Sequence, residues 1–142
     1  MSIRGVRGAT IATANDAGAI LAATRELLLA IRDANPSMQT EDLASILFTV
    51  TNDLDAVYPA QAAHQLKWSG VPLICAREIP VPDGLPNCVR VMIHWNTDLP
   101  QGEIRHIYLK DAAQLRPDWV RQTEEALAAT EAAATAVSGG VR

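Results

Sequence analysis

Cys88-Val89-Arg90-Val91-Met92-Ile93-His94-Trp95 is the stretch on which the fold turns. Its β-branched and aromatic residues read as a strand. Apolar side chains fall on both of its parities, and a strand that is apolar on two faces is covered on two faces. Working upstream, residues 79–87 hold three prolines and a glycine and read as loop. Val71–Arg77 reads as the preceding strand. Pro59 suits the first position of a short helix running to about Leu66, and Asp53–Val57 is loop. In Ile46–Thr51 the side chains of Leu47, Thr49 and Thr51 alternate with Ile46, Phe48 and Val50, so this too is a strand. Thr40-Glu41-Asp42 suits a single turn.

Further upstream, Asn15-Asp16 caps a helix whose stripe is Ile20, Leu21, Leu27, Leu28 and Ile31, and Asn35-Pro36 stops it. Ile3–Ala12 is the first strand, with Gly5 and Gly8 marking close approach to the backbone. Downstream of Trp95, Ile104–Lys110 reads as a fifth strand. Arg116-Pro117-Asp118 restarts the chain, and Val120–Ala136 is helix-prone. The apolar residues of that last segment are mostly alanine, with little to bury, and Ser138-Gly139-Gly140 reads as a frayed end. The order β-α-β-α-β-β-β gives an α+β fold: a mixed five-stranded sheet with helices on one face. The second face then needs cover, and other copies of the chain are the simplest source, so a homo-oligomer is expected.

The chain has 142 residues, 49% of them hydrophobic and 20% charged, with a net charge of −4. Those values fit one soluble globular domain that buries about two-thirds of its unfolded surface. The acidic balance argues against broad nucleic-acid binding. No leader and no apolar span of about 20 residues is visible, so no membrane role is expected and the cytoplasm is the expected compartment. The two cysteines, Cys75 and Cys88, fit no disulfide framework and no zinc motif. His64, His94 and His106 lack metal-ligand spacing, and no phosphate loop, dinucleotide fingerprint or nucleophile elbow is present.

The informative charges are those within strands. Arg90 interrupts an apolar strand, and a guanidinium that cannot lose its proton must meet an anion there. That anion is either an internal carboxylate such as Glu78 or a ligand. Arg7 repeats the situation between Gly5 and Gly8, where a ligand could reach the backbone. Arg4 has the opposite parity, so one of the two faces inward and the other is solvated. Tyr108 reads as an edge residue on the parity of His106 and Lys110. Cys75 and Glu78 differ by three positions, so sharing one site requires a twist or bulge between them. Taken alone, Cys75 reads as a small core residue. Two arginines, a glutamate, a tyrosine and a cysteine, with no nucleophile–base pair, suit a small carboxylate ligand. They also suit catalysis by positioning and electrostatics.

Ile3-Arg4-Gly5-Val6-Arg7-Gly8-Ala9-Thr10, Asp53–Ala60, Val71–Glu78, Cys88–Met92, Ile104–Leu109 and Leu115-Arg116-Pro117-Asp118 resemble, in order, the monofunctional chorismate mutases of the Bacillus type, the AroH class. The resemblance covers about residues 2–118. It implies an α+β subunit forming a homotrimeric pseudo-α/β-barrel with active sites at the subunit interfaces. It implies conversion of chorismate to prephenate, on the route to phenylalanine and tyrosine, with no cofactor and no metal. By position it implies that Arg90 donates to the ether oxygen of the breaking bond and contacts a carboxylate. Arg7 and Tyr108 would hold carboxylates, and Glu78 would accept from the ring hydroxyl beside Cys75. Tyr58, Ala60 and Leu115 would line the pocket. Gln61-Ala62-Ala63-His64 departs from the family, which often has a basic residue there; His64 could supply part of that charge or nothing. Residues 1–118 are the expected mutase domain and 119–142 an alanine-rich tail, helical or partly disordered. The alternatives are a non-catalytic homotrimer that binds small carboxylates, and hydrolysis or deamination through Cys75.

Overall fold

The computed structural model describes residues 1–68 and 70–139. Five strands form one sheet: β1 (Ser2–Ile11), β2 (Leu43–Val50), β3 (Leu73–Arg77), β4 (Cys88–Thr97) and β5 (Ile107–Tyr108). Their order is β3-β2-β4-β1-β5. Strand β4 is the centre of the sheet. It pairs antiparallel with β1 on one side and β2 on the other, and the outer strands β3 and β5 join in parallel. Along β4, Val89, Val91, Ile93 and Trp95 are buried, while Arg90, Met92 and His94 are half-buried. Odd positions face the helices and even positions face the opposite side.

Helix α1 (Ala17–Ala34) begins where Asp16 accepts a 2.7 Å bond from the Ala19 N–H. Ile20, Leu21, Leu27, Leu28 and Ile31 are buried as one stripe, as their spacing requires. Leu27, Leu28 and Ile31 pack with Val6, Ile46, Phe48, Val91, Ile93 and Trp95 into the main core, and Ile20 joins Ala12, Ala23, Val50, Leu54 and Val89 in a second cluster. The Asn35 side chain closes the helix end. Its amide bonds the carbonyls of Ile31 and Arg105 and accepts the Arg105 N–H, each at 2.9 Å. The short helix α2 (Gln61–Gln65) is tighter than the expected Pro59–Leu66.

Gly8 serves packing. A Cβ there would come within 2.8 Å of Ile31 Cδ1 and 3.1 Å of the Ile107 carbonyl. The close approach expected at this glycine is that of α1 and β5, not of a ligand.

The fifth strand is much shorter than the expected Ile104–Lys110. Only Ile107 and Tyr108 pair, with Gly8 and Ala9. The backbone before them is committed elsewhere, because the Arg105 N–H goes to Asn35 and the Arg7 N–H goes to the His106 ring. After them Lys110 adopts a φ of 54° and a 3₁₀ stretch, Lys110–Leu115, turns the chain away.

Helix α3 (Pro117–Gly139) starts with proline in the first turn and is longer than the expected Val120–Ala136. Ser138 and Gly139 continue the helix, and Gly140 of the expected frayed end lies outside the described residues. The helix is not without anchors. Trp119 and Val120 pack with Leu115 against Ala9, Cys88, Tyr108 and Ala112, at one end of the sheet face that α1 leaves bare. Ile3, Ile74, Leu47 and Met92 leave apolar surface on the rest of that face, Ile3 at 59% and Ile74 at 66% exposure. Among the described residues no helix is long and apolar enough to cross a membrane.

Candidate active site

The register of the three central strands assembles the site. Ala9 and Thr49 both lie opposite Arg90, and Arg7 lies opposite Met92. Arg7, Thr49 and Arg90 therefore share the face away from α1. Glu78 joins them from just beyond β3, where its N–H donates to the Val50 carbonyl at 2.9 Å. Together these residues line a shallow hollow of about 240 Å³ with Leu47 and Met92. The Glu78 carboxylate accepts a bond from the Thr49 hydroxyl and lies 3.5 Å from Arg90 Nε. The internal carboxylate that a strand arginine demands is thus Glu78. Yet the pairing leaves capacity unused: Arg90 Nε is buried without a hydrogen-bond partner, and so is the Tyr108 hydroxyl. Unsatisfied buried donors are costly, and a site that binds an anion is where they are expected.

Tyr108 is more deeply placed than an edge residue, at 6% exposure. Burial raises its pKa, opposed by the nearby positive charges of Arg7, Arg116 and Arg90, so the phenol is a neutral donor. Arg4 turns away and spends its Nε–H on the Leu99 carbonyl at 2.8 Å. His106 Nδ1 accepts the Arg7 backbone N–H at 2.9 Å. Burial, then the charges of Arg7, Arg116 and Arg105, lowers the His106 pKa to about 4. The ring is neutral at pH 7 and carries its proton on Nε2.

Cys75 does not join Glu78. The β2–β3 register runs unbroken from Ile46 opposite Leu73 to Val50 opposite Arg77, without the bulge that a shared site would need. Cys75 stands opposite Phe48 and packs against the helix-side core. There it lines a second hollow of about 450 Å³ with Tyr58, Ala60 and His64. Its thiol pKa is raised by burial and lowered less by the Ala60 backbone N–H, the opposite of what a nucleophile requires. Tyr58 is 70% exposed on the rim. Leu115 belongs with Tyr108 and Trp119. The predicted residues therefore fall into two groups on one protomer: Arg7, Glu78, Arg90, Tyr108 and Leu115 in one, Tyr58, Ala60 and Cys75 in the other.

Sequence reasoning missed Thr49, which bonds Glu78, and His106, which accepts the Arg7 backbone N–H. Thr49 had no distinguishing signal, since Ser45 also places a hydroxyl in β2. The tie to Glu78 comes only from pairing with β4. Among the described residues no group of three or more His, Cys, Asp or Glu is placed to hold a metal ion.

The bare face of the mixed sheet in this α+β fold gathers two arginines, a carboxylate and a neutral phenol, a set of groups suited to a small anion. The family model for chorismate mutase type I matches residues 3–119, and the chain belongs to that family. It is 50% identical over 116 residues to chorismate mutase AroH of Thermus thermophilus, covering 82% of this chain and 95% of that one. It is 44% identical over 119 residues to chorismate mutase AroH of Bacillus subtilis, covering 83% and 93%. Among solved structures it resembles a chorismate mutase from Clostridium thermocellum, with a TM-score of 0.75 and 44% identity over 78% of this chain and 97% of that one.

Proposed function

We propose that this protein is a chorismate mutase, an isomerase that rearranges chorismate to prephenate in aromatic amino-acid biosynthesis. One observation carries the chemistry: Arg90, pinned by Glu78 yet with Nε unsatisfied, beside Arg7 on the bare sheet face. The substrate is a dianion, so cations are required to bind it. The reaction is one unimolecular pericyclic step in which negative charge grows on the ether oxygen as its carbon–oxygen bond breaks. A fixed guanidinium at that oxygen stabilises the transition state more than the ground state. Arg90 takes this role, Arg7 and the neutral Tyr108 hold carboxylate oxygens, and Glu78 accepts from the ring hydroxyl. Nothing in this chemistry needs a general base, a covalent intermediate or a cofactor.

The two hollows support a homotrimer with shared sites. One protomer supplies Arg7, Glu78, Arg90, Tyr108 and Leu115, and a neighbour supplies Tyr58, Ala60 and Cys75 to close the pocket. The exposed Ile3 and Ile74 on the bare face give such an assembly apolar area to bury. We place the mutase domain at residues 1–118 and the alanine-rich segment at 119–142, whose first turns dock on that domain through Trp119, Val120 and Thr123, and the protein in the cytoplasm. The named relatives do not favour a non-catalytic carboxylate binder.

The test is loss of chorismate's ultraviolet diene absorbance on adding purified protein, with and without EDTA, and conversion of the product by acid to phenylpyruvate. EDTA-insensitive turnover is expected. Chorismate binding without turnover would turn the reading to the carboxylate binder, and neither binding nor turnover would refute both.

A further inference from the structure

Around the first turn of α3, four side chains form a stack that substrate binding by Arg7 and Tyr108 does not explain. The rings of His106 and Trp119 lie 4.1 Å apart with 28° between their planes. The Arg116 guanidinium lies over the Trp119 ring, 3.2 Å from its centroid. Asp118 grips that guanidinium through two bonds, Nε to Oδ1 at 3.1 Å and Nη2 to Oδ2 at 2.8 Å. The Thr123 hydroxyl, one turn on, donates to the His106 carbonyl at 3.0 Å.

Arg7 meets this stack at both of its ends. Its backbone N–H donates to His106 Nδ1 at 2.9 Å, and its guanidinium carbon lies 5.6 Å from the centre of the Trp119 ring. Arg116 takes the close place on the indole at 3.2 Å, and Arg7 makes a longer approach to the same negative ring potential, which draws its guanidinium without neutralising its charge. A carboxylate partner would hold Arg7 equally well but would cancel the charge that substrate needs. The neutral His106 ring adds no cation of its own beside Arg7 and Arg116.

We propose that Trp119 is a positioning residue for Arg7: the indole face fixes where the Arg7 guanidinium points, so that it meets a substrate carboxylate already oriented. The proposal rests on the mutase reading and on Arg7 as a carboxylate-binding residue. Arginine gives up much rotamer freedom when it binds, and orientation in advance lowers that loss. Arg116, Asp118 and Thr123 serve by holding the indole in place.

The test compares Trp119→Phe, which keeps an aromatic face, with Trp119→Leu, which keeps apolar bulk without one. Each is made in the unaltered protein and in an Arg7→Ala background, with folding followed by circular dichroism and thermal melting. A cation–aromatic contact at this distance predicts a rise of about 3- to 5-fold in KM for chorismate in Trp119→Leu. Because binding is lost equally from ground and transition states, kcat should stay within about 2-fold. Trp119→Phe should restore most of KM. In the Arg7→Ala background the difference between Phe and Leu should vanish, since the two residues act as one unit. Equal KM values for Phe and Leu, or a Leu penalty that persists undiminished without Arg7, would overturn the inference while the mutase reading stands. Absence of turnover in the unaltered protein would instead sink the functional reading, and the inference with it.

Discussion

Arg90 illustrates how one residue can be held by a carboxylate and still be available to substrate. Glu78 fixes the guanidinium through a 3.5 Å approach to Nε, and Thr49 fixes Glu78 in turn. Lysine would supply charge at one point and could not keep both contacts. Arg90→Lys should therefore fold normally and lose about 10²–10³ in kcat, with a smaller change in KM, in steady-state assays. Near-normal kcat would remove Arg90 from the assigned role. Thr49→Val deletes a hydrogen bond to a charged group while keeping shape, and about a 10-fold loss in kcat/KM is expected. Glu78→Ala should cost more activity than Cys75→Ser, and the reverse order would exchange their importance. Arg90, Arg7 and Glu78 were legible in the sequence because charges within apolar strands need an explanation. Thr49 was not, because a strand threonine is ordinary until its cross-strand partner is known.

At the scale of elements, α1 rests on β1 at Gly8, where a methyl group would strike Ile31 and the Ile107 carbonyl. Gly8→Ala should destabilise the protein by about 1–3 kcal/mol in urea unfolding, with loss of the close α1–β1 contact. A neutral effect would mean that the helix shifts freely over the sheet. The link between β5 and α3 predicts a pH dependence. The His106 pKa is about 4 in the folded chain, below the ordinary 6.5. The unfolded chain therefore takes up a proton first as pH falls. Stability from this group is complete above pH 6.5 and is lost between pH 6.5 and 4, by on the order of 2 kcal/mol. Denaturant midpoints measured across that window in the native protein and in His106→Gln should diverge, and parallel curves would refute the assignment. α1 was readable because its stripe, cap and stop coincide. β5 was not, because side chains of Asn35 and His106 capture backbone groups that a sequence pattern assigns to a ladder.

The whole molecule is defined by the face that its own helices leave open. Ile3 and Ile74 remain exposed there, next to the hollow that holds Arg7 and Arg90. Analytical ultracentrifugation should find three times the 15.3 kDa chain mass. Ile74→Asp should lower that mass and remove activity together, because a charge on an apolar contact face cannot be buried unpaired. A fully active monomer would refute the shared site.

The order of elements, the Cys88–Trp95 strand with apolar residues on both parities, and the presence of two strand arginines were determined by the sequence alone. Periodicity, capping residues and prolines act over a few positions, and the chemistry of a buried guanidinium is the same in any fold. The register opposing Ala9 and Thr49 to Arg90, the separation of Cys75 from Glu78, and the seating of Trp119 on His106 were decided by tertiary structure. Each depends on pairing between residues tens of positions apart, where a shift of one residue would turn the side chain to the other face.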